Sequence, residues 1–193
     1  FTVSYCRVER HVTASIAEGA TSADDGKAYE TVSVNLTNDR ATNVGTYTAT
    51  VDSLGNANYT FAPGASREYI ITKVDVANIA FIDKEVVFNG EEFEITVNTT
   101  VTQFGDTVAV NYTGSVTADY GRSAVIGENK ARNAGVYTFT ASVAESTNYN
   151  AWTGTAILTV SRALLSDLTV DDVITAYDNT AKRITLGDNY TYG

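Results

Sequence analysis

Hydrophobic and polar residues alternate with a period of two through much of the chain, which is the pattern of half-buried β-strands. The clearest case is the segment 137–143, where every second residue is apolar and the residues between are Thr or Ser. The same alternation recurs in the segments 12–16, 47–51, 93–97 and 108–112. No segment keeps the 3.6-residue period of an amphipathic helix. Short alternating segments separated by Gly, Asn and Asp predict an all-β sandwich protein.

An internal repeat divides the chain. Its clearest marker is Asn43-Val44-Gly45-Thr46-Tyr47-Thr48, which returns as Asn133-Ala134-Gly135-Val136-Tyr137-Thr138 at an offset of 135 − 45 = 90 residues. Three further pairs keep the same order: Asn58-Tyr59 and Asn148-Tyr149, Ile71-Thr72-Lys73 and Val160-Ser161-Arg162, Phe88-Asn89-Gly90 and Tyr177-Asp178-Asn179. Several markers in one order at nearly fixed spacing indicate tandem repeats.

The markers predict four segments. These are residues 1–9, the last strand of a preceding unit or an N-terminal strand; 10–72, a short first repeat; 73–161, a full second repeat; and 162–193, the start of a truncated third. The second repeat carries an additional stretch, Gly105 to Gly114, that reads as an extra strand with turns on both sides, so the first repeat is expected to lack a hairpin or more. Both ends of the chain have strand-like sequence and are expected to be cut from something longer.

The repeated Asn-x-Gly-x-Tyr-Thr motif has a mechanical interpretation. In immunoglobulin-type sandwiches, a Tyr near the start of one strand folds its hydroxyl back onto upstream backbone and pins the corner. Tyr47 and Tyr137 are predicted to have this role, and Gly45 and Gly135 are predicted to let the chain turn sharply before the strand.

The junction between the two repeats lacks the composition of a flexible linker. Strand-like residues 69–72 run directly into residues 74–76 without Gly, Ser or Pro, whereas flexible linkers are normally rich in such residues. The predicted fold is therefore a monomeric chain of tandem immunoglobulin-like β-sandwich domains arranged end to end.

These markers resemble the MBG/YDG-type immunoglobulin-like repeats of bacterial adhesins and haemagglutinin-like surface proteins. The motifs that carry the resemblance are the two Asn-x-Gly-x-Tyr-Thr copies, Ile71-Thr72-Lys73, Phe88-Asn89-Gly90, Tyr177-Asp178-Asn179, Gly105-Asp106 and Leu54-Gly55-Asn56-Ala57-Asn58-Tyr59. No copy keeps an intact Tyr-Asp-Gly. The resemblance implies a secreted, extracellular stalk or adhesive array at a bacterial cell surface, and it implies no catalytic residues.

Composition and charge narrow the function classes. The formal net charge is −10, and an acidic chain repels phosphate backbones, which disfavours nucleic-acid binding. No stretch approaches the roughly 20 apolar residues of a membrane-spanning helix, so no membrane insertion is expected. Cys6 is the only cysteine; an intrachain disulfide is therefore excluded, and Cys6 is expected to pack as a small apolar group.

Candidate chemistry is sparse. His11 is the only histidine, which argues against most histidine-dependent catalysis and ordinary zinc sites, and no catalytic or cofactor-binding residue is predicted. Calcium is the better-motivated hypothesis, because junction carboxylates could supply its oxygen ligands. The candidates flank the two junctions: Asp75, Asp83, Asp167, Asp171 and Asp172.

Trp152, the only tryptophan, lies with Tyr149 in a predicted turn before the last strand of repeat 2. One interpretation is an exposed aromatic platform for a glycan or a host-surface protein; the favoured one is a loop Trp covering the sandwich end. At the level of function, the primary hypothesis is a non-enzymatic spacer. The alternatives are a glycan- or host-protein-binding module and an accessory domain of a secreted glycan-active enzyme.

Overall fold

The computed structural model describes residues 1–15, 32–166, 174 and 176–181. Within these ranges the protein is all-β: no helix is present, and so none has the length and apolar character of a membrane span. The strands are β1 (Thr2–Ser4), β2 (Arg10–His11), β3 (Val34–Thr37), β4 (Arg40–Ala41), β5 (Gly45–Leu54), β6 (Ser66–Thr72), β7 (Lys84–Val87), β8 (Phe93–Glu94), β9 (Asn111–Asp119), β10 (Lys130–Ala131), β11 (Gly135–Val143) and β12 (Trp152–Ser161).

The chain forms two compact units. Unit 1 contains Phe1–Asn78 together with two segments from later in the chain, Val101–Val108 and Ala144–Trp152. Unit 2 contains Ile79–Thr100, Ala109–Val143 and the residues that follow Trp152. These two units are defined by contacts between residues in space. They do not test the boundaries of the sequence repeats, which stay a prediction. Most of the predicted third repeat, 162–193, lies outside the described residues.

In the described residues, both units have the same plan of six strands. The four-stranded sheet has the order β1-β6-β5-β3 in unit 1 and β7-β12-β11-β9 in unit 2. In each sheet the first strand of the unit is parallel to the last, with Thr2 opposite Ile70 and Lys84 opposite Leu158. Each unit also has a small antiparallel sheet that pairs its second strand with its fourth, β2 with β4 and β8 with β10.

The core of unit 2 follows the predicted alternation. Along β11, Tyr137, Phe139, Ala141 and Val143 are buried, and the Thr and Ser residues between them are half-buried. The core cluster is completed by residues from β12, by one residue of the small sheet and by the residue that directly follows β8: Ala156, Leu158, Val160, Ala131 and Ile95. Because both sheets contribute to one apolar layer, the unit is sandwich-like, and the all-β prediction is confirmed.

The extra strand and second turn predicted between Gly105 and Gly114 are wrong. Gly114 lies inside β9, which occupies in its sheet the place that β3 has in unit 1. Gly114 is paired with Phe139 across the ladder, and a Cβ on Gly114 would overlap the Phe139 ring. Glycine is needed there because a large ring packs onto the backbone, and not because the chain turns.

Unit 1 has a smaller aromatic core. Tyr69 and Ile71 of β6 and Ala49 of β5 are buried, and the Tyr47 ring stacks on Tyr69 at a centroid distance of 5.2 Å. Residues 12–15 do not form the strand predicted over 12–16, because pairing with β4 covers only Arg10–His11. Residue 16 lies outside the described residues.

Candidate functional site

Both motif tyrosines form the bond expected of a tyrosine corner. The Tyr137 hydroxyl donates to the carbonyl oxygen of Asn133 at 2.6 Å, and the Tyr47 hydroxyl donates to that of Asn43 at 2.8 Å. Tyr137 is fully buried, whereas Tyr47 is half-buried and its hydrogen bond is exposed to solvent. Each bond ties the start of a strand to the residues that precede it.

The motif glycines have a different role from the predicted one. Gly45 and Gly135 begin β5 and β11, and neither has a positive φ, so the predicted sharp turn is not what requires them. A Cβ on Gly45 would lie 3.1 Å from the Tyr47 ring, and one on Gly135 would overlap Ser123. They are needed because the corner packs closely against their α-carbons.

A partly buried cluster of hydrogen-bonded polar side chains lies in unit 1. We call it the Asp106 cluster; its members are Asp106, Tyr5, Arg7, Thr102 and Tyr149. Tyr5 directly follows β1, and its N–H donates to the Thr72 carbonyl at 3.0 Å.

The segment 101–108 presents Asp106 by closing into a tight turn. Val101 and Thr107 form an antiparallel bridge, and the Gly105 N–H donates to the Thr102 carbonyl at 2.9 Å. Gly105 has a φ of 84°, a left-handed conformation that favours glycine. The Gly105-Asp106 dipeptide therefore sets the direction of the carboxylate.

Two phenols converge on one oxygen of the carboxylate. The Tyr149 hydroxyl donates to Asp106 Oδ2 at 2.7 Å, and the Tyr5 hydroxyl donates to the same atom at 3.0 Å. Thr102 Oγ1 lies 2.9 Å from the Tyr149 hydroxyl oxygen. A phenol has one proton, which Tyr149 gives to Asp106, so Thr102 is the donor in this contact. The tyrosine rings meet edge to face at 5.5 Å.

The electrostatics of the cluster favour an ionised carboxylate beside neutral phenols. The hydrogen bond from Tyr149 lowers the pKa of Asp106, helped by Tyr5 and the Arg7 charge and opposed by burial. Burial raises the pKa of Tyr149 to about 12, and burial followed by the bond to Asp106 raises the pKa of Tyr5. Charge-assisted bonds of this kind are shorter and stronger than neutral ones.

Arg7 closes the exposed side of the cluster. Its Nε lies 3.5 Å from Asp106 Oδ1, and its Nη1 donates to the Phe104 carbonyl at 3.0 Å. Arg7 has a φ of 63°, a left-handed conformation that costs a non-glycine residue about 1–2 kcal/mol. Since more than half of the Arg7 side chain is exposed, the ion pair itself is screened by solvent.

The chemical capacity of the Asp106 cluster is directional hydrogen bonding. It joins three segments of unit 1 that are far apart in sequence: the end of β1, the turn 101–108 and the loop 144–152. Sequence reasoning singled out Gly105-Asp106 as a motif of the family resemblance, and Asn148-Tyr149 as a repeat marker with Tyr149 as a ligand candidate, and it missed their convergence. The available signal was that each motif lies next to a turn, without any indication that the two turns meet.

The calcium candidates are only partly described. Asp75 and Asp83 are exposed, and each Oδ1 accepts a hydrogen bond, from Asn150 Nδ2 at 2.7 Å and from the Ile157 N–H at 2.8 Å respectively. Asp167, Asp171 and Asp172 lie outside the described residues. Within the described ranges, no group of three or more His, Cys, Asp or Glu side chains is close enough to share an ion. The calcium site stays a prediction.

The aromatic candidates differ in exposure. Tyr149 is only 4% exposed, so it has no free face for a carbohydrate, and its hydroxyl is used by Asp106 and Thr102. Trp152 is half-buried at the start of β12, so glycan binding stays a hypothesis for this ring alone. His11 is exposed in β2, and Cys6 is half-buried.

Unit 2 has a cavity of about 470 Å³ beside its tyrosine corner. It is lined by Phe88, the corner residues Asn133 and Ala134, the turn 120–122, and the first residues after β12, among them Arg162 and Leu165. The Arg162 guanidinium lies over the Tyr120 ring at 4.2 Å. The lining is mainly apolar and aromatic, and it also includes Arg122 and Arg162.

No protein-family model matches the chain, and no curated protein is significantly similar to it.

Proposed function

We propose that this chain is a non-enzymatic spacer segment of a bacterial cell-surface, adhesin-like protein, built from tandem immunoglobulin-like repeats. The observation that carries the proposal is the six-strand plan that occurs twice. In unit 1, β3, β5 and β6 are neighbours in the order of the C, F and G strands of an immunoglobulin domain, and β9, β11 and β12 have the same order in unit 2. The second and fourth strands of each unit pair as the B and E strands do.

Two further observations support the immunoglobulin-like assignment. A tyrosine corner lies near the start of the F-like strand in each unit, which is where such domains have it. The position two residues later, where antibody domains have an inter-sheet cysteine, is Ala49 in one unit and Phe139 in the other. Apolar packing replaces the disulfide in this proposal.

The way the repeats are joined supports the proposed spacer role. β6 ends at Thr72, and Val74 already forms a bridge to Tyr149 within unit 1. A junction without Gly, Ser or Pro restricts the angle between successive repeats, and a chain of such repeats would hold a distal module away from a surface. Secretion and the cell-surface location rest on the sequence resemblance and belong to the same proposal.

Small-angle scattering of the 193-residue chain tests the spacer role. We expect an extended distance distribution of a semi-rigid rod. A compact, near-spherical distribution for the unmodified chain would contradict the proposal.

A further inference from the structure

The cavity of unit 2 and the Asp106 cluster of unit 1 occupy equivalent places in the two folds. Ladder registers give the correspondence. Thr2 is opposite Ile70 and Glu85 is opposite Thr159, and Ile70 and Thr159 are themselves equivalent. Counting on from these pairs makes Tyr5 equivalent to Phe88. The main-chain bonds agree, because the Tyr5 N–H donates to Thr72 and the Phe88 N–H donates to Ser161.

The other walls of the cavity correspond in the same way. Asn43 and Val44 of the first corner are equivalent to Asn133 and Ala134 of the second. The residues that follow the last strand are also equivalent, with Lys73 matching Arg162 and Val76 matching Leu165. All five unit 2 residues line the cavity.

In unit 1 this surface is covered by the loop 144–152. The Val44 N–H donates to Asn148 Oδ1 at 3.0 Å, and Asn148 Nδ2 donates to Asn43 Oδ1 at 3.0 Å. Lys73 Nζ donates to Glu145 Oε1 at 2.6 Å. The loop contacts main chain, amide side chains and the terminal amine of the unit 1 surface.

Main-chain hydrogen bonds and apolar burial complete the contact between the loop 144–152 and this surface. The Val74 N–H donates to the Asn148 carbonyl at 3.2 Å, and the Asn150 N–H donates to the Val74 carbonyl at 2.9 Å. Under this cover Tyr5 is 4% exposed and Val76 is 6% exposed. In unit 2, Leu165 at the position of Val76 is 46% exposed.

We infer that the unit 2 cavity is a docking site for a further repeat of the same kind, which offers a loop like 144–152 to Asn133, Ala134 and Arg162. The occupant is a repeat that carries Asn at the position of Asn148 and an acidic residue at the position of Glu145. The Asn would pair with the Ala134 N–H, and the acidic residue would pair with Arg162, which leaves the Tyr120 ring. Successive docking of this type is heterologous and propagates in one direction.

One difference between the two equivalent surfaces sets the expected strength of docking. Phe88 replaces Tyr5, so a docked repeat would find no phenol to bond its equivalent of Asp106. The contact at Phe88 is therefore apolar, and Ala134 and Arg162 determine which repeat can dock. The inference deepens the tandem-repeat proposal and rests on it, but docking can fail while the chain is still a rod.

Amide hydrogen exchange tests the inference at single residues. The chain to compare with the 193-residue protein is residues 1–166 followed by a second copy of residues 78–161, which leaves every cavity residue in place. We expect the Ala134 amide to exchange about tenfold more slowly, or slower still, in the extended chain, because it gains one hydrogen bond. The Val44 amide of the same molecule is the internal reference, since it already has this bond.

Substitution of the loop asparagine supplies the matched control. Asn148→Ala should speed exchange at Val44 only, and the same change in the appended copy should return Ala134 to its rate in the 193-residue chain. An appended repeat that stays unfolded, or one that folds without slowing exchange at Ala134, would overturn the inference. Slow exchange at Ala134 already in the 193-residue chain would overturn it as well. Scattering on the same two chains reports rod shape separately, so failure of docking and failure of the spacer role are distinguishable.

Discussion

Units 1 and 2 share a strand plan but are held together by different chemistry. Unit 2 places Phe139 and Tyr137 against Gly114, Leu158 and Val160 in a continuous apolar layer, in which Phe139 is 0% exposed. Unit 1 has Ala49 where unit 2 has Phe139, and a cavity of about 310 Å³ lies beside Ala49.

Unit 1 offsets its smaller core with the Asp106 cluster. Tyr5, Tyr149 and Thr102 are all buried, and two of their hydroxyls converge on one carboxylate. Apolar packing is non-directional and tolerates exchange of residues of similar volume, whereas a polar network needs every partner in place. The comparison therefore predicts that unit 2 is most sensitive to loss of volume and unit 1 to loss of a charge.

Loss of the Phe139 ring should have the largest effect. Phe139→Ala removes a fully buried aromatic side chain, and we expect unit 2 to lose about 3–5 kcal/mol of unfolding free energy. Native-state hydrogen exchange along β11 measures this for unit 2 separately from unit 1. Ile157→Ala is the control: Ile157 is 40% exposed on β12, so its truncation should change stability by at most about 1 kcal/mol. Equal effects of the two changes would contradict the assigned core.

Removal of the Asp106 carboxylate should be the most damaging polar change in unit 1. Asp106→Ala leaves two buried phenols without their acceptor, and we expect a loss of about 2–4 kcal/mol, seen as faster exchange along β6. Asp52→Ala, at an exposed position of β5, is the matched control and should be nearly neutral. The effect on β11 of unit 2 should be small; a larger loss there than in β6 would break the comparison.

Particular residues show how far the sequence determined these conclusions. The alternation along β11 and the repeated Tyr motif predicted strands, buried faces and corners, because strand periodicity and corner bonds are local properties. Tyr5, Asp106 and Tyr149 could not be brought together in the same way: Asp106 is 101 residues from Tyr5 and 43 residues from Tyr149, and the turn and the loop that carry Asp106 and Tyr149 meet Tyr5 only in the folded unit. Gly114 was misinterpreted for a related reason, since its partner Phe139 comes from another strand.

Acid should weaken unit 1 through Asp106. The pKa of Asp106 is lowered in the folded protein, so its stabilisation is fully present above the unfolded value of about 3.9 and is lost as the pH falls through the folded pKa. We expect the β6 amides to exchange faster as the pH falls below about 3.9. Asp106→Asn should remove this pH dependence while keeping the side-chain shape. An unchanged acid response in Asp106→Asn would assign the sensitivity to other carboxylates, such as Glu145, whose pKa is lowered by Lys73.

The smallest expected effects compare the two tyrosine corners directly. The Tyr137 hydroxyl bonds to Asn133 under a buried ring, so Tyr137→Phe leaves a part-buried carbonyl without its donor and should cost unit 2 about 1–2 kcal/mol. The equivalent bond from Tyr47 to Asn43 is open to solvent, and water can replace the lost donor. Tyr47→Phe should therefore cost unit 1 only about 0.5 kcal/mol or less. Both rings keep their packing in these variants, so the difference isolates the hydroxyl. Equal losses in the two units would mean that burial does not set the strength of the corner, and no loss at Tyr137 would remove the immunoglobulin-type assignment of β11.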